Sequence, residues 1–130
     1  MRKRGKQGRP IWDLVRVWKA LQYSLAGLNH AARYEPAFRQ EIVLTCVMIP
    51  LACVIPVSTL LKLFLITAHL IVLIVELLNT AIECVVDKVC PEYDPLVKQA
   101  KDMGSAAVLL SLVILALVWA VALYRLPVFR

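Results

Sequence analysis

Residues 63 to 86 read LFLITAHLIVLIVELLNTAIECVV, twenty-four positions without a lysine or arginine, and two of them, Glu76 and Glu83, are carboxylates. The run is long enough for the roughly 20 apolar residues that a bilayer core requires. Two charge-free runs flank it, Ile42 to Leu61 with twenty residues and Met103 to Tyr124 with twenty-two. The expected fold class is an all-α membrane protein with three transmembrane helices. Composition agrees, because 61% of the 130 side chains are apolar and 18% are charged, where a soluble domain is about half apolar. Neither G-x-G-x-x-G nor G-x-x-x-x-G-K-[ST] occurs, and a nucleotide-binding domain of Rossmann or P-loop type has no room. A cleaved signal peptide is not expected, since no 7–15-residue apolar stretch with a small-residue cleavage site follows the basic start.

Working outward, the chain divides into a basic tail over 1–10, a surface helix over 11–34 and spans over 36–55, 59–89 and 95–124, forming one domain. Residues 11 to 34 are too polar to cross a bilayer, yet Ile11, Leu14, Val15, Trp18, Leu21, Leu25 and Leu28 recur at helical spacing. Asp13, Arg16, Lys19 and Gln22 lie away from that stripe, the pattern of an interfacial amphipathic helix with Trp12 and Trp18 suited to the headgroup layer. Nine of the fifteen Lys and Arg residues precede the first span; Lys62 alone separates spans one and two; Lys88, Lys98 and Lys101 separate two and three. The positive-inside rule then predicts a cytosolic N-terminus and a C-terminus on the far side. Glu35-Pro36 and Asp94-Pro95 each set an acidic cap-type residue before a proline suited to the first helical turn. Ser58 is the expected cap of the second span, and Pro50 predicts a kink in the first or help from a neighbour.

At about 100° per residue, Asn79, Glu83 and Asp87 all fall within about 60° of Glu76. An ionised carboxylate at membrane depth costs roughly 2.5–3.5 kcal/mol even on the lenient insertion scale, so such residues face a protein interior and mark function. The apolar runs 42–61, 63–86 and 103–124 hold no Lys or Arg to pair with them. Counted from Thr59, Glu76 lies about 25 Å along the helix, near the inner edge of a roughly 30 Å hydrocarbon core. Glu83 and Asp87 reach the interface, where Glu35, Glu41, Lys101 and Asp102 also gather. Carboxylates without His or Cys favour a hard cation such as magnesium, which bridges a few protein oxygens to phosphate. A base, metal ligands and a lysine at an interface suit phosphoryl transfer to a lipid hydroxyl, which needs mainly positioning and charge neutralisation.

The run Glu76-Leu-Leu-Asn79-Thr-Ala-Ile-Glu83-Cys-Val-Val-Asp87, with Glu35-Pro-Ala-Phe-Arg39-Gln-Glu41 before it and Ala100-Lys101-Asp102-Met-Gly-Ser105-Ala-Ala after it, resembles the prokaryotic diacylglycerol kinase family. The resemblance runs from about Leu14 to the third span. It implies a homotrimer of three-span subunits, each with a surface helix, that transfers the γ-phosphoryl of magnesium-ATP to diacylglycerol and yields phosphatidic acid in the cell inner membrane. By position, Glu76 would be the general base and meet the lipid hydroxyl, with Asn79 positioning reacting groups. Glu35 and Glu83 would hold magnesium and through it the nucleotide. Arg16, Tyr23, Glu92, Tyr93, Asp94, Lys101 and Asp102 would contact ATP, and Ser105 the lipid. Arg39, Glu41 and Asp87 would be supporting polar residues. The trimer has a physical argument too, since three spans are not expected to surround a stripe of four polar residues.

Two rivals stand beside that expectation. A kinase of undecaprenol, from Gram-positive relatives of the family, would use the same site, although Phe38-Arg39-Gln40-Glu41 and Met103-Gly104-Ser105 look more like the diacylglycerol-directed branch. A small proton-coupled transporter would explain Glu76 alone and leave the interfacial charges without a reason. Cys46, Cys53, Cys84 and Cys90 form no C-x-x-C pair and read as small apolar residues. His69 reads as a hydrogen-bonder within a span, and His30 as a polar interface residue. Gly104-Ser105-Ala106-Ala107 suits close helix packing or lipid contact. The basic tail suits anionic headgroups and calls for no nucleic acid.

Overall fold

The computed structural model describes residues 14–126. They form four helices, α1 Leu14–Tyr34, α2 Pro36–Val54, α3 Thr59–Val89 and α4 Pro95–Tyr124. The last three are long and apolar enough to cross a membrane. The tail 1–10, residues 11 to 13 with Trp12, and the C-terminal Arg130 lie outside the described residues.

One residue separates α1 from α2, and Pro36 is the reason. Its ring pushes the preceding residue out of the helical region, and Glu35 is extended at φ −103° and ψ 109°. The Glu35 N–H still donates to Ala31 O at 2.9 Å and its carbonyl accepts from Arg39 at 3.1 Å, so the backbone is satisfied across the break. The expected cap is corrected here: the Glu35 side chain makes no cap hydrogen bond. Asp94, in the matching position, does cap, accepting from the N–H groups of Leu96 at 2.7 Å and Val97 at 3.4 Å. The shorter aspartate belongs to the strong N-cap set and glutamate does not. Ser58 caps α3, accepting from Leu61 N at 3.4 Å.

Helix α2 continues through Pro50 to Val54, although the proline supplies no donor for the carbonyl of Cys46. Near its end the Cys53 carbonyl, left over by the helix terminus, accepts from Lys62 Nζ at 2.6 Å. Lysine and carbonyl thereby satisfy each other beside the turn Ile55 to Val57.

Helix α3 packs against both α2 and α4, and α1 packs on α2. Small side chains let the three spans meet: Ala52, Leu65 and Ala122 are fully buried together, and Ala68 and Val72 meet Leu115 in a second cluster. Close approach through small residues is how helices pack where lipid supplies no hydrophobic drive between them. Most large apolar side chains of α2, α3 and α4 point outward, as an acyl-chain environment allows. At 31 residues, α3 is about 46 Å long against a hydrocarbon core of roughly 30 Å, so one end projects beyond it. That end carries Glu83 and Asp87. Helix α1 buries only Ala31 and leaves Leu14, Trp18, Leu21, Leu25 and Leu28 exposed, an open apolar face of the kind an interfacial helix lays on a membrane.

Candidate active site

The buried residues of α3 are Leu65, Ala68, His69, Val72, Glu76 and Asn79, a stripe with steps of three and four. Its first half is apolar apart from His69, whose Nε2 accepts from Trp119 Nε1 at 3.1 Å. This is the span hydrogen bond expected of that histidine. Its second half holds the two polar groups, with Glu76 only 6% and Asn79 9% exposed.

One subunit's spans bury Glu76 and Asn79 but not the other two members of the stripe, in line with the expectation that three spans do not surround all four polar residues. The reason lies on α4. Gly104 is buried against Asn79, and a methyl group there would run into Asn79 Oδ1, so the missing side chain lets α4 close over the stripe. Ser105, Ala106 and Ala107 are exposed beside it, and of the four small residues only Gly104 makes the close approach. Further along, Glu83 is half-buried and Asp87 exposed; the stripe runs off the bundle rather than ending inside it.

Asn79 Nδ2 donates to Glu83 Oε1 at 3.3 Å, one turn apart on the same face. Glu76 makes no hydrogen bond among the described residues, and besides being buried it lies within electrostatic reach of Glu41, Glu83 and Glu35. So α2 and α3 bring four acidic groups to one region, and Glu41, expected in a supporting role, is one of them. Among the described residues four buried side-chain atoms have no partner: Glu41 Oε2, Thr45 Oγ1 and Asn79 Oδ1 at this end of the bundle, and His69 Nδ1 further along α3. Leaving a buried polar atom unmade costs about 1–3 kcal/mol, so such atoms mark where an external group completes a site. Thr45 carried no signal in the sequence, because a threonine inside an apolar span ordinarily bonds back to its own helix.

Beyond the projecting end, Glu92, Tyr93 and Asp94 face Lys101 and Asp102 across a cleft of about 420 Å³ that Asp87 also lines. Lys101 Nζ pairs with Asp87 at 2.5 Å, joining α4 to α3, and Lys98 pairs with Asp102 at 3.1 Å along α4. Five of the residues expected to touch a nucleotide thus share one cleft. Arg16 and Tyr23 are exposed on α1 and do not line it. Arg39 is exposed on α2.

Among the described residues, no three His, Cys, Asp or Glu side chains form a ready-made metal cage. Magnesium rarely uses one; it is bound through one or two carboxylates together with substrate phosphates. Glu35, whose side chain is not spent on capping, and Glu83, with one oxygen engaged by Asn79, are an all-oxygen pair of that type.

Residues 22–123 match the family model described as prokaryotic diacylglycerol kinase. The chain is 48% identical over 110 residues to the diacylglycerol kinase of Pseudomonas aeruginosa, a match covering 85% of this chain and 89% of that protein. It is 43% identical over 110 residues to the diacylglycerol kinase of Escherichia coli, covering 85% and 90%. The diacylglycerol kinase of Haemophilus influenzae is 40% identical over 106 residues, covering 82% and 90%.

Proposed function

The chain belongs to the prokaryotic diacylglycerol kinase family, and from that premise we infer that it is a membrane-embedded lipid kinase acting on diacylglycerol. ATP is the phosphoryl donor and phosphatidic acid the product. The observation that carries the chemistry is Glu76, a carboxylate 6% exposed among three others whose charges it feels. The family makes a phosphoryl acceptor of the lipid hydroxyl, and Glu76 is the proton acceptor placed at membrane depth for it. As the hydroxyl oxygen bonds to the γ-phosphorus, its proton passes to Glu76 and the bond from phosphorus to the ADP oxygen breaks. Asn79, held by Glu83 on one side and with Oδ1 free on the other, orients the reacting groups. The cleft between α3 and α4 takes the nucleotide through Glu92, Tyr93, Asp94, Lys101 and Asp102, with Arg16 and Tyr23 of the surface helix contributing from α1. Lys101 exchanges its partner Asp87 for phosphate and neutralises charge there. Glu35 and Glu83 hold magnesium, which supplies the countercharge that lets polyphosphate approach a region rich in carboxylates. Ser105 lies on the lipid side.

The subunits assemble as a homotrimer in the inner membrane, with the N-terminus in the cytosol and the C-terminus on the far side. The polyprenol alternative uses the same machinery and is not favoured, because the similar relatives named above are diacylglycerol kinases. The transporter alternative gives the interfacial cleft no task. Purified protein in mixed micelles with labelled ATP and magnesium, offered diacylglycerol, undecaprenol or no lipid, is the test. Label is expected in diacylglycerol; label in undecaprenol alone, or in neither lipid, overturns the assignment.

A further inference from the structure

At the end of the bundle away from the carboxylates, a cleft of about 510 Å³ opens between the α2–α3 turn and the last turn of α4, with Ser58, Leu61, Phe64, Val121 and Arg125 in its walls. It shares Leu61, Phe64 and Val121 with a second cleft of about 240 Å³ that reaches down the α3–α4 seam to Leu117 and is lined by apolar residues alone. From Arg125 to Leu117 the pair runs about 12 Å along the helix axis. One continuous groove thus has a guanidinium at its mouth and hydrocarbon along its floor. Arg125 is fixed at its backbone, its N–H donating to the last turn of α4, while its side chain has no acidic partner among the described residues. The neighbouring sequence offers no acidic side chain, since no Asp or Glu occurs from Ile42 to Val75 or from Met103 to Arg130. Among the described residues the other cation at this end, Lys62, is engaged by the Cys53 carbonyl. Ser58 Oγ accepts from Leu61 N, which leaves its hydroxyl hydrogen to donate.

The geometry points to a binding site for an anionic phospholipid of the leaflet opposite the kinase site, its phosphate on Arg125 and Ser58 and one acyl chain between Phe64 and Leu117. No Asp or Glu side chain is at hand to supply the countercharge, and an interfacial phosphate is an anion present at that depth. A second copy inserted in parallel would bring another Arg125 and Lys62 rather than an acid. The site is separate from the substrate lipid and does not depend on the kinase assignment.

The test uses the full chain purified in neutral detergent, exposed to an equimolar mixture of phosphatidylglycerol and phosphatidylcholine, and weighed by native mass spectrometry. Wild type is expected to retain phosphatidylglycerol preferentially. Arg125→Gln should lower that retention about fivefold, the factor that one interfacial cation is worth, and Arg125→Lys should restore most of it. Val121→Trp, which fills the groove, should lower retention of both lipids. Kinase activity in phosphatidylcholine-supplemented micelles should stay at the wild-type level in Arg125→Gln, which reports that the variant is folded. Equal phosphatidylglycerol retention by wild type and Arg125→Gln overturns the proposal. So does a Val121→Trp variant that changes the mass of the assembly while leaving the lipid count alone, since the groove would then be a contact between subunits.

Discussion

The two halves of α3 share one helix and one buried face, yet they answer to different physics. From Leu65 to Val72 the face is filled by apolar groups and one histidine, whose Nε2 accepts from Trp119 while its buried Nδ1 has no partner among the described residues. From Glu76 to Glu83 it is filled by polar groups whose hydrogen-bonding capacity is left partly unspent, as at Asn79 Oδ1 and the facing Glu41 Oε2. The first half is hydrocarbon packing around a single imidazole, whereas the second gathers carboxylates and a carboxamide at some cost in stability, the expected bias of functional sites. Substitutions in the two halves should therefore separate cleanly into losses of rate and losses of stability.

The sharpest separation is expected at Glu76. Glu76→Gln keeps the shape and removes the proton acceptor, so turnover should fall by about 10²–10⁴-fold while thermal unfolding in detergent stays level or rises, because a buried charge has gone. Activity within a few-fold of wild type would break the comparison at its centre. In the other half, Leu65→Ala removes a fully buried side chain at the junction of three spans and should cost about 2–4 kcal/mol of stability, with activity per folded molecule unchanged. A fall in specific activity without a fall in stability would show the two halves coupled.

Gly104→Ala probes the boundary between them. The added methyl displaces the Asn79 carboxamide from its contact with Glu83, so turnover should drop about 10–100-fold through misplacement. The helix-propensity gain of up to about 1 kcal/mol should keep stability near wild type. A smaller effect is expected from His69→Leu, which deprives the half-buried Trp119 N–H of its acceptor but also removes the unpartnered Nδ1, so the cost should be about 1 kcal/mol or less; the double variant His69→Leu/Trp119→Phe, lacking both polar groups, should recover most of it. A comparable effect separates two acidic residues that look alike in sequence. Asp94→Ala should lose about 0.5–2 kcal/mol of α4 stability and Asp94→Asn almost none, because asparagine caps as well. Glu35→Ala should show no capping loss, and its deficit should appear instead in the magnesium dependence of the reaction.

Much of this was legible in the sequence for local reasons. Spans are legible because each must satisfy its backbone internally and present apolar side chains, which leaves long runs such as 103–124. The starts of α2 and α4 are legible because proline excludes the preceding residue from the helix, and Ser58 because its hydroxyl caps only three residues ahead. Glu76 stood out because a carboxylate inside such a run is costly wherever it points. The part that was not legible depends on which helices touch. Nothing in the spacing of α3 says that Gly104 lies over Asn79, that Glu41 of α2 comes within electrostatic reach of Glu76, or that Lys101 reaches Asp87. The acidic cap at Glu35 was misjudged because the rule for the junction is local, whereas the side chain's direction is not.

By itself the sequence determined the number of spans, their ends, the helical face that carries the polar groups and, through the Glu76 to Asp87 run, the family. These follow from periodicity, turn chemistry and the cost of charge in lipid, all of which act over a few residues. Only the tertiary structure decided that one subunit suffices to bury Glu76 and Asn79, because burial depends on how near a neighbouring helix comes. That distance is set by the absence of a single side chain at Gly104, twenty-five positions away in the chain.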